Sequence, residues 1–525
     1  MKFHSLFLLL TGIVLSVNIH AQSDPVMEKI VEIGQTDNRT MEHLDILCNR
    51  FGGRLIGSDA YEQSANWAAG KFREWGMEVV MDEAGAIPVG FNRGPWFGRI
   101  LGEEGMQLHF ATPSYTSGTR GVQRGHVLIE PKTRAQFNRM KGKLKGAWVL
   151  VAGTNNGFPI DISAEADSLR DSLKIVNMEI DKRNMAARRK YWSEHRSDAP
   201  GEILESYSDE PAVFYREMVE AGVLGFIQSS GVPIRALADR TNVWDWTFES
   251  LPTVPDIKLD EHQYDLIYRM AEERRYFQLE FDIRNHFRLG PIKYHSVIGI
   301  IPGTEFPDEY VLMSGHLDAY DVATGGVDDG SGVSPTMEAA RLIMEAGGKP
   351  KRTILVVLWA GEEFGLLGSS SWVVRNADKL ENISNMVNKD GGPEVPVALS
   401  VSAAMMEDFE PIVEVINTIN PDFPVELKER APRPRPAMAW GTDSGPFAVK
   451  GVPTISFEEG DPKGYDFSYF EIWHTERDTY NKAIPEYNEQ SATATAVLVY
   501  GLANLDHKLS REGYYIEKKG KKKRN

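Results

Sequence analysis

Two features of this sequence predict an α/β fold, a mostly parallel twisted sheet in three layers with helices on both faces. Beyond about residue 290, short apolar runs alternate with segments of helical periodicity, the pattern of strand–helix–strand units. Histidine and acidic residues stand at the carboxyl ends of those runs, where open α/β sheets bind their ligands.

The elements follow in order. Residues 25–90 read as helix, loop, helix, strand. The second helix, 60–75, has apolar or small residues at helical spacing and meets Gly76, a C-cap signal; the strand begins at Glu78. From about 110 the texture changes: short strands at 126–129 and 146–151, a long charged stretch at 163–210 that reads as surface helix, and a helix end with a strand at 220–227. After 290, the strand runs 310–313, 353–360, 385–389, 397–401 and 452–457 alternate with helices at 331–346, 364–376, 409–420 and 492–505.

A chain of 525 residues exceeds what one core usually holds, so it forms two domains or one with a large insertion. The formal net charge is -17, and the basic run lies at 518–524. A nucleic-acid partner is excluded, because no basic face offsets the repulsion of phosphates. The tail 510–525 reads as a solvated, disordered end.

The first 21 residues read as a signal peptide: Lys2, an apolar stretch at 6–17, and Ile19-His20-Ala21 as the cleavage site. The apolar stretch is too short to span a bilayer. No cysteine stands at the cleavage site, so a lipid anchor is not available there. The expectation is an exported protein, periplasmic or secreted, with no membrane attachment after cleavage. Cys48 is the single cysteine, which excludes an intramolecular disulfide and a four-cysteine zinc site. With Leu44, Ile46 and Leu47 nearby it reads as a buried core thiol.

The chemistry sits in four segments. His316 and Asp318 lie two apart at a strand end, so they share a face and Asp318 can accept the ring N–H that His316 does not turn to a metal. Asp328, in GVDDGSG, is the candidate bridging ligand, with Ser331 as cap of the next helix. Glu362 and Glu363 form an acidic doublet after a strand; one can bind a metal while the other faces water as a general base. Asp390 in KDGG and His474 in WHTERDT complete the set. Each could be an ordinary turn, cap or surface residue. Together, two histidines and three carboxylates suit a pair of zinc ions sharing one carboxylate. The loop APRPRPA, 431–437, is stiff because proline fixes φ. It is either a surface linker or part of a substrate rim where Arg433 or Arg435 meets a carboxylate.

The runs SGHLDAYDVATGGVDDGSG, WAGEEFGLLGSSSWV, KDGG and WHTERDT resemble the di-zinc exopeptidases related to bacterial leucyl aminopeptidase and glutamate carboxypeptidase. The resemblance is specific over 290–505 and weaker over 25–110. It implies a zinc peptidase domain made of those two segments, and peptide substrates cleaved at a terminal bond. One zinc would be held by His316 and Asp390 and the other by Glu363 and His474, with Asp328 between them. Glu362 would be the base and Asp318 the partner of His316. Residues 110–290 look similar to the protease-associated domain that several members insert. WGTDSGPF at 440–447 resembles the family's S-D-H stretch, but Thr442 and Ser444 depart from it, leaving Asp443 a place in the site wall at most. The resemblance also implies a homodimer, common among relatives. Two other outcomes occur on this scaffold: a one-zinc glutaminyl cyclase, and a binding protein that has lost its metals.

Overall fold

The fold is mixed α/β. The structure is a computed structural model that describes residues 24–102, 105–196 and 204–516. The expected signal peptide and the 518–524 basic run lie outside the described residues. Among the described residues, no helix is long and apolar enough to cross a membrane.

A six-stranded sheet runs in the order Glu78–Ile87, Ile292–Ile301, Arg352–Trp359, Phe306–His316, Ile383–Asn388, Thr454–Ile455. The last four are mutually parallel, whereas Ile292–Ile301 is antiparallel to both its neighbours. Arg352–Trp359 and Ile383–Asn388 are buried along their whole length, as parallel strands covered on both faces must be. The side chains of Phe306–His316 and Arg352–Trp359 alternate between two cores. Val311, Met313, Ile354, Val356 and Leu358 enter one; Leu312, Leu355, Val357 and Trp359 enter the other. The first core receives the helices Asp59–Glu74, Gly330–Glu345 and Pro485–Ala503. The second receives Trp372 and Val373 of Leu367–Arg375, and Phe447 of Ser444–Val449. Gly330–Glu345 is buried over nearly its full circumference, which its apolar and small residues permit.

Three expectations change. Ile292–Ile301 is a strand the sequence reading passes over, because its first half, IKYHS, is polar and only VIGII is apolar. The run at 397–401 does not extend the main sheet: Val395–Val401 pairs with Glu426–Glu429 and Phe457–Gly460 in a small separate sheet. The run at 452–457 is accordingly two strands: Thr454–Ile455 joins the main sheet and Phe457–Gly460 the small one.

A second sheet of seven strands takes in Trp96–Leu101, Gln278–Ile283, Gln123–Ile129, Ala147–Thr154, Gly225–Ser230, Asp256–Asp260 and Phe110–Ala111. The chain enters and leaves this region through an antiparallel ribbon, Gly90–Asn92 against His286–Arg288. The charged stretch forms a 32-residue helix, Ala164–His195, about 48 Å long at 1.5 Å per residue. The near end of the expected tail is packed: Tyr514 is 1% exposed, and the Arg433 guanidinium donates to its hydroxyl at 2.6 Å. Cys48 is buried, its Sγ 3.7 Å from the Gly325 carbonyl, and burial pushes the thiol up to about 11. That is the reverse of what a nucleophile needs.

Candidate metal centre

Strand register brings the site together. His316 closes its strand opposite Trp359, and Ser314 lies opposite Asn388. The next turns therefore deliver Glu362 and Glu363 from one neighbour and Asp390 from the other, on either side of His316. Gly361 takes φ +70°, the left-handed backbone that turns the chain out of its strand. The Asp318 carboxylate then accepts the backbone N–H groups of Glu362 and Glu363, each at 3.1 Å. The His316 Nδ1 lies 2.9 Å from the Asp318 carbonyl and 3.7 Å from its carboxylate. Both the main chain and the carboxylate of Asp318 thus stand beside the imidazole, and the carboxylate also shapes the acidic turn.

Asp328 has one oxygen for each histidine. Its Oδ1 is 3.2 Å from His316 Nε2 and its Oδ2 is 3.5 Å from His474 Nε2. Asp390 Oδ1 stands 3.7 Å from His316 Nε2, and Glu363 Oε2 stands 3.1 Å from His474 Nε2. Ligand atoms ~2.1 Å from a tetrahedral zinc are roughly 3.4 Å from one another, so these separations suit a shared ion better than a set of ion pairs. His316 Nε2 and Glu363 Oε1 are buried without a hydrogen-bond partner, a costly condition that a cation relieves.

Burial dominates the electrostatics. It raises Glu362, Glu363 and Asp329 well above the carboxylate range, with neighbouring carboxylates adding to the effect. It lowers His474 to about 4. For His316 burial works in the same direction, but Asp329 and Asp390 overcome it and raise the imidazole. So many buried carboxylates around two imidazoles form a field that divalent cations would neutralise.

Asp329 also lies within reach of His316 and Asp390. Its carboxylate, however, accepts the His316 backbone N–H at 2.9 Å. It also presses against Gly332, where an added Cβ would sit 2.1 Å from Oδ1. Its Oδ2 thus holds the His316 main chain while its Oδ1 is buried without a hydrogen-bond partner, and Asp328 is the carboxylate that faces both histidines. Asp478 is the other residue the sequence reading missed. Its carboxylate accepts the N–H of Val327 at 2.7 Å and of Asp328 at 3.3 Å, pinning the loop that carries Asp328.

The centre floors a cleft of about 760 Å³. Glu362 lines it, with Arg235, Arg240, Trp440, Tyr469 and Trp473 among the wall residues. Arg240 donates to the Tyr320 hydroxyl at 3.0 Å, its guanidinium 4.0 Å from Glu363. Arg235 lies over the Trp473 ring at 5.0 Å. One expectation fails here, and of the two readings of the proline loop the surface linker stands. Asp443 is fully buried and does not line the cleft; it precedes the Ser444–Val449 helix while Trp440 and Gly441 form the wall. Arg433 is tied to Thr454 and Tyr514, and Arg435 stands beside Gly451, so neither lines the cleft.

Residues 296–499 match the model of Peptidase family M28. Carboxypeptidase Q of Xenopus laevis is 25% identical over 503 residues, covering 93% of this chain and 91% of that protein. The structure of a peptidase M28 precursor from Shewanella amazonensis superposes with a TM-score of 0.56 at 20% identity, covering 92% of this chain and 97% of that one. A zinc aminopeptidase from Bacillus subtilis does so with a TM-score of 0.50 at 15% identity, covering 91% and 98%.

Proposed function

With the chain placed in Peptidase family M28 as a metallo-exopeptidase, we propose that it hydrolyses the terminal bond of short peptides with a pair of zinc ions and Glu362 as general base. The observation that carries this reading is Asp328, whose two oxygens face the two histidines. His316 and Asp390 would hold one ion, Glu363 and His474 the other. When bound, the ions would acidify the attacking water and polarise the scissile carbonyl. Glu362 lines the cleft beside the ligands; it takes the water's proton and returns it to the leaving amine. Its backbone N–H on Asp318 fixes the turn from which the carboxylate reaches in. The shared position of Asp328 weighs against a one-zinc cyclase, and the intact ligand set against a binding protein without metals.

The segments 25–110 and 290–505 form the peptidase domain, and 110–290 the protease-associated-like insertion. The protein is exported after loss of residues 1–21. Chelation tests the core of the proposal: hydrolysis of dipeptides and leucyl-anilide should disappear with chelator and return with zinc. Chelator-resistant hydrolysis would refute it.

Arg235 and Arg240 place positive charge on the cleft wall, which supports short peptides whose terminal carboxylate lies inside the cleft. Arg235→Ala should raise KM for dipeptides by roughly 10- to 100-fold, the weight of a hydrogen bond to a charged group. It should leave leucyl-anilide, which lacks that carboxylate, almost unchanged. An equal rise for both substrates would remove Arg235 from carboxylate recognition.

A further inference from the structure

His474 has φ +58°, a left-handed backbone that persists only where its surroundings hold it. Two of the residues after it are anchored. Asp478 grips the Asp328 loop. Glu476 reaches the loop that follows Gly225–Ser230 and the residue that precedes Phe110–Ala111, both strands of the seven-stranded sheet. There its Oε1 accepts the Ile234 N–H at 3.1 Å, its own N–H donates to the Ile234 carbonyl at 3.0 Å, and its Oε2 lies 2.8 Å from His109 Nε2.

His109 is itself fixed. Its Nδ1 is 3.1 Å from Asp260 Oδ2, its backbone N–H donates to Gln263 at 2.7 Å, and its carbonyl receives the Asp260 N–H at 3.0 Å. Asp260 is anchored in turn as N-cap of the helix Glu261–Glu272, taking the His262 N–H at 2.9 Å. A carboxylate on each ring nitrogen makes both nitrogens donors, the charged imidazolium form. A continuous charge-assisted chain thus runs from a helix terminus on the second sheet, through His109 and Glu476, to a point two residues from His474.

We propose that His109 and Glu476 are positioning residues, a strut by which the seven-stranded sheet holds the His474 backbone in the conformation that presents its imidazole to the metal. The inference rests on His474 being a ligand. It assigns the second sheet a part in metal retention as well as in walling the cleft.

The test uses the full chain loaded with zinc and titrated with a chelator, with bound zinc counted at each step and the melting of the metal-free chain measured alongside. In His109→Ala and Glu476→Ala, one zinc should leave at roughly tenfold lower chelator concentration, the scale of loss when a ligand's supporting partner is removed. The other zinc and the metal-free melting should stay as in the parent. Excess zinc should restore turnover. Glu476→Gln keeps an oxygen for the Ile234 N–H and should recover part of the loss. Parental zinc retention in both alanine variants would overturn the strut, as would a loss matched by lower metal-free melting. A parent chain that binds no zinc would overturn the metal reading itself, and the strut with it.

Discussion

Glu362→Gln should lower kcat by roughly 10²- to 10⁴-fold, the span attributed to a positioned general base, and leave zinc content unchanged. Glu362 belongs to neither ligand cluster, and its anchor to Asp318 is a backbone N–H that the substitution keeps. Glutamine fills the same space but has no carboxylate to take a proton. Steady-state kinetics with metal analysis of the same preparation separates the two effects. Turnover within a few fold of the parent would remove Glu362 as the base; loss of zinc would make it a ligand.

Asp328→Ala should be the more damaging change to the metals. A variant at Asp390 or Glu363 removes a contact to one histidine, whereas Asp328 faces both. Both zinc ions should be weakened by more than the roughly 10- to 100-fold that follows loss of a supporting partner, and hydrolysis should be lost at ordinary zinc concentrations. Asp478→Asn should be milder, because Asp478 holds the Val327 and Asp328 amides rather than a metal. Loss of a single zinc in Asp328→Ala, with the other held at parental affinity, would show that Asp328 is not shared.

The parts of the site carried by the parallel strands were legible because their logic is local. An apolar run, a turn and a polar residue at its carboxyl end can be read within a few positions, and register then brings His316, Glu362, Glu363 and Asp390 together. Asp329 was passed over because in a doublet the sequence does not say which carboxylate turns outward. The strand Ile292–Ile301 was hidden for a different reason: half of it is polar. What depends on distant segments left no pattern at all. His109 and Glu476 are 367 residues apart, and Arg235 and Arg240 reach the cleft from loops of another sheet. No spacing rule connects such pairs, since their meeting depends on how the second sheet stands against the first. The proline loop left two readings open; the structure gives the linker, with Arg433 fastening Tyr514 of the carboxyl-terminal segment.

The most direct measurement is the zinc stoichiometry of the folded, purified chain, titrated from the metal-free form with dipeptide hydrolysis followed at each addition. A shared carboxylate between two histidines predicts binding to about two zinc ions per chain, as in two-metal hydrolytic sites, with activity rising as the pair fills. A folded chain that hydrolyses peptides fully with one zinc, or with none, would contradict the account.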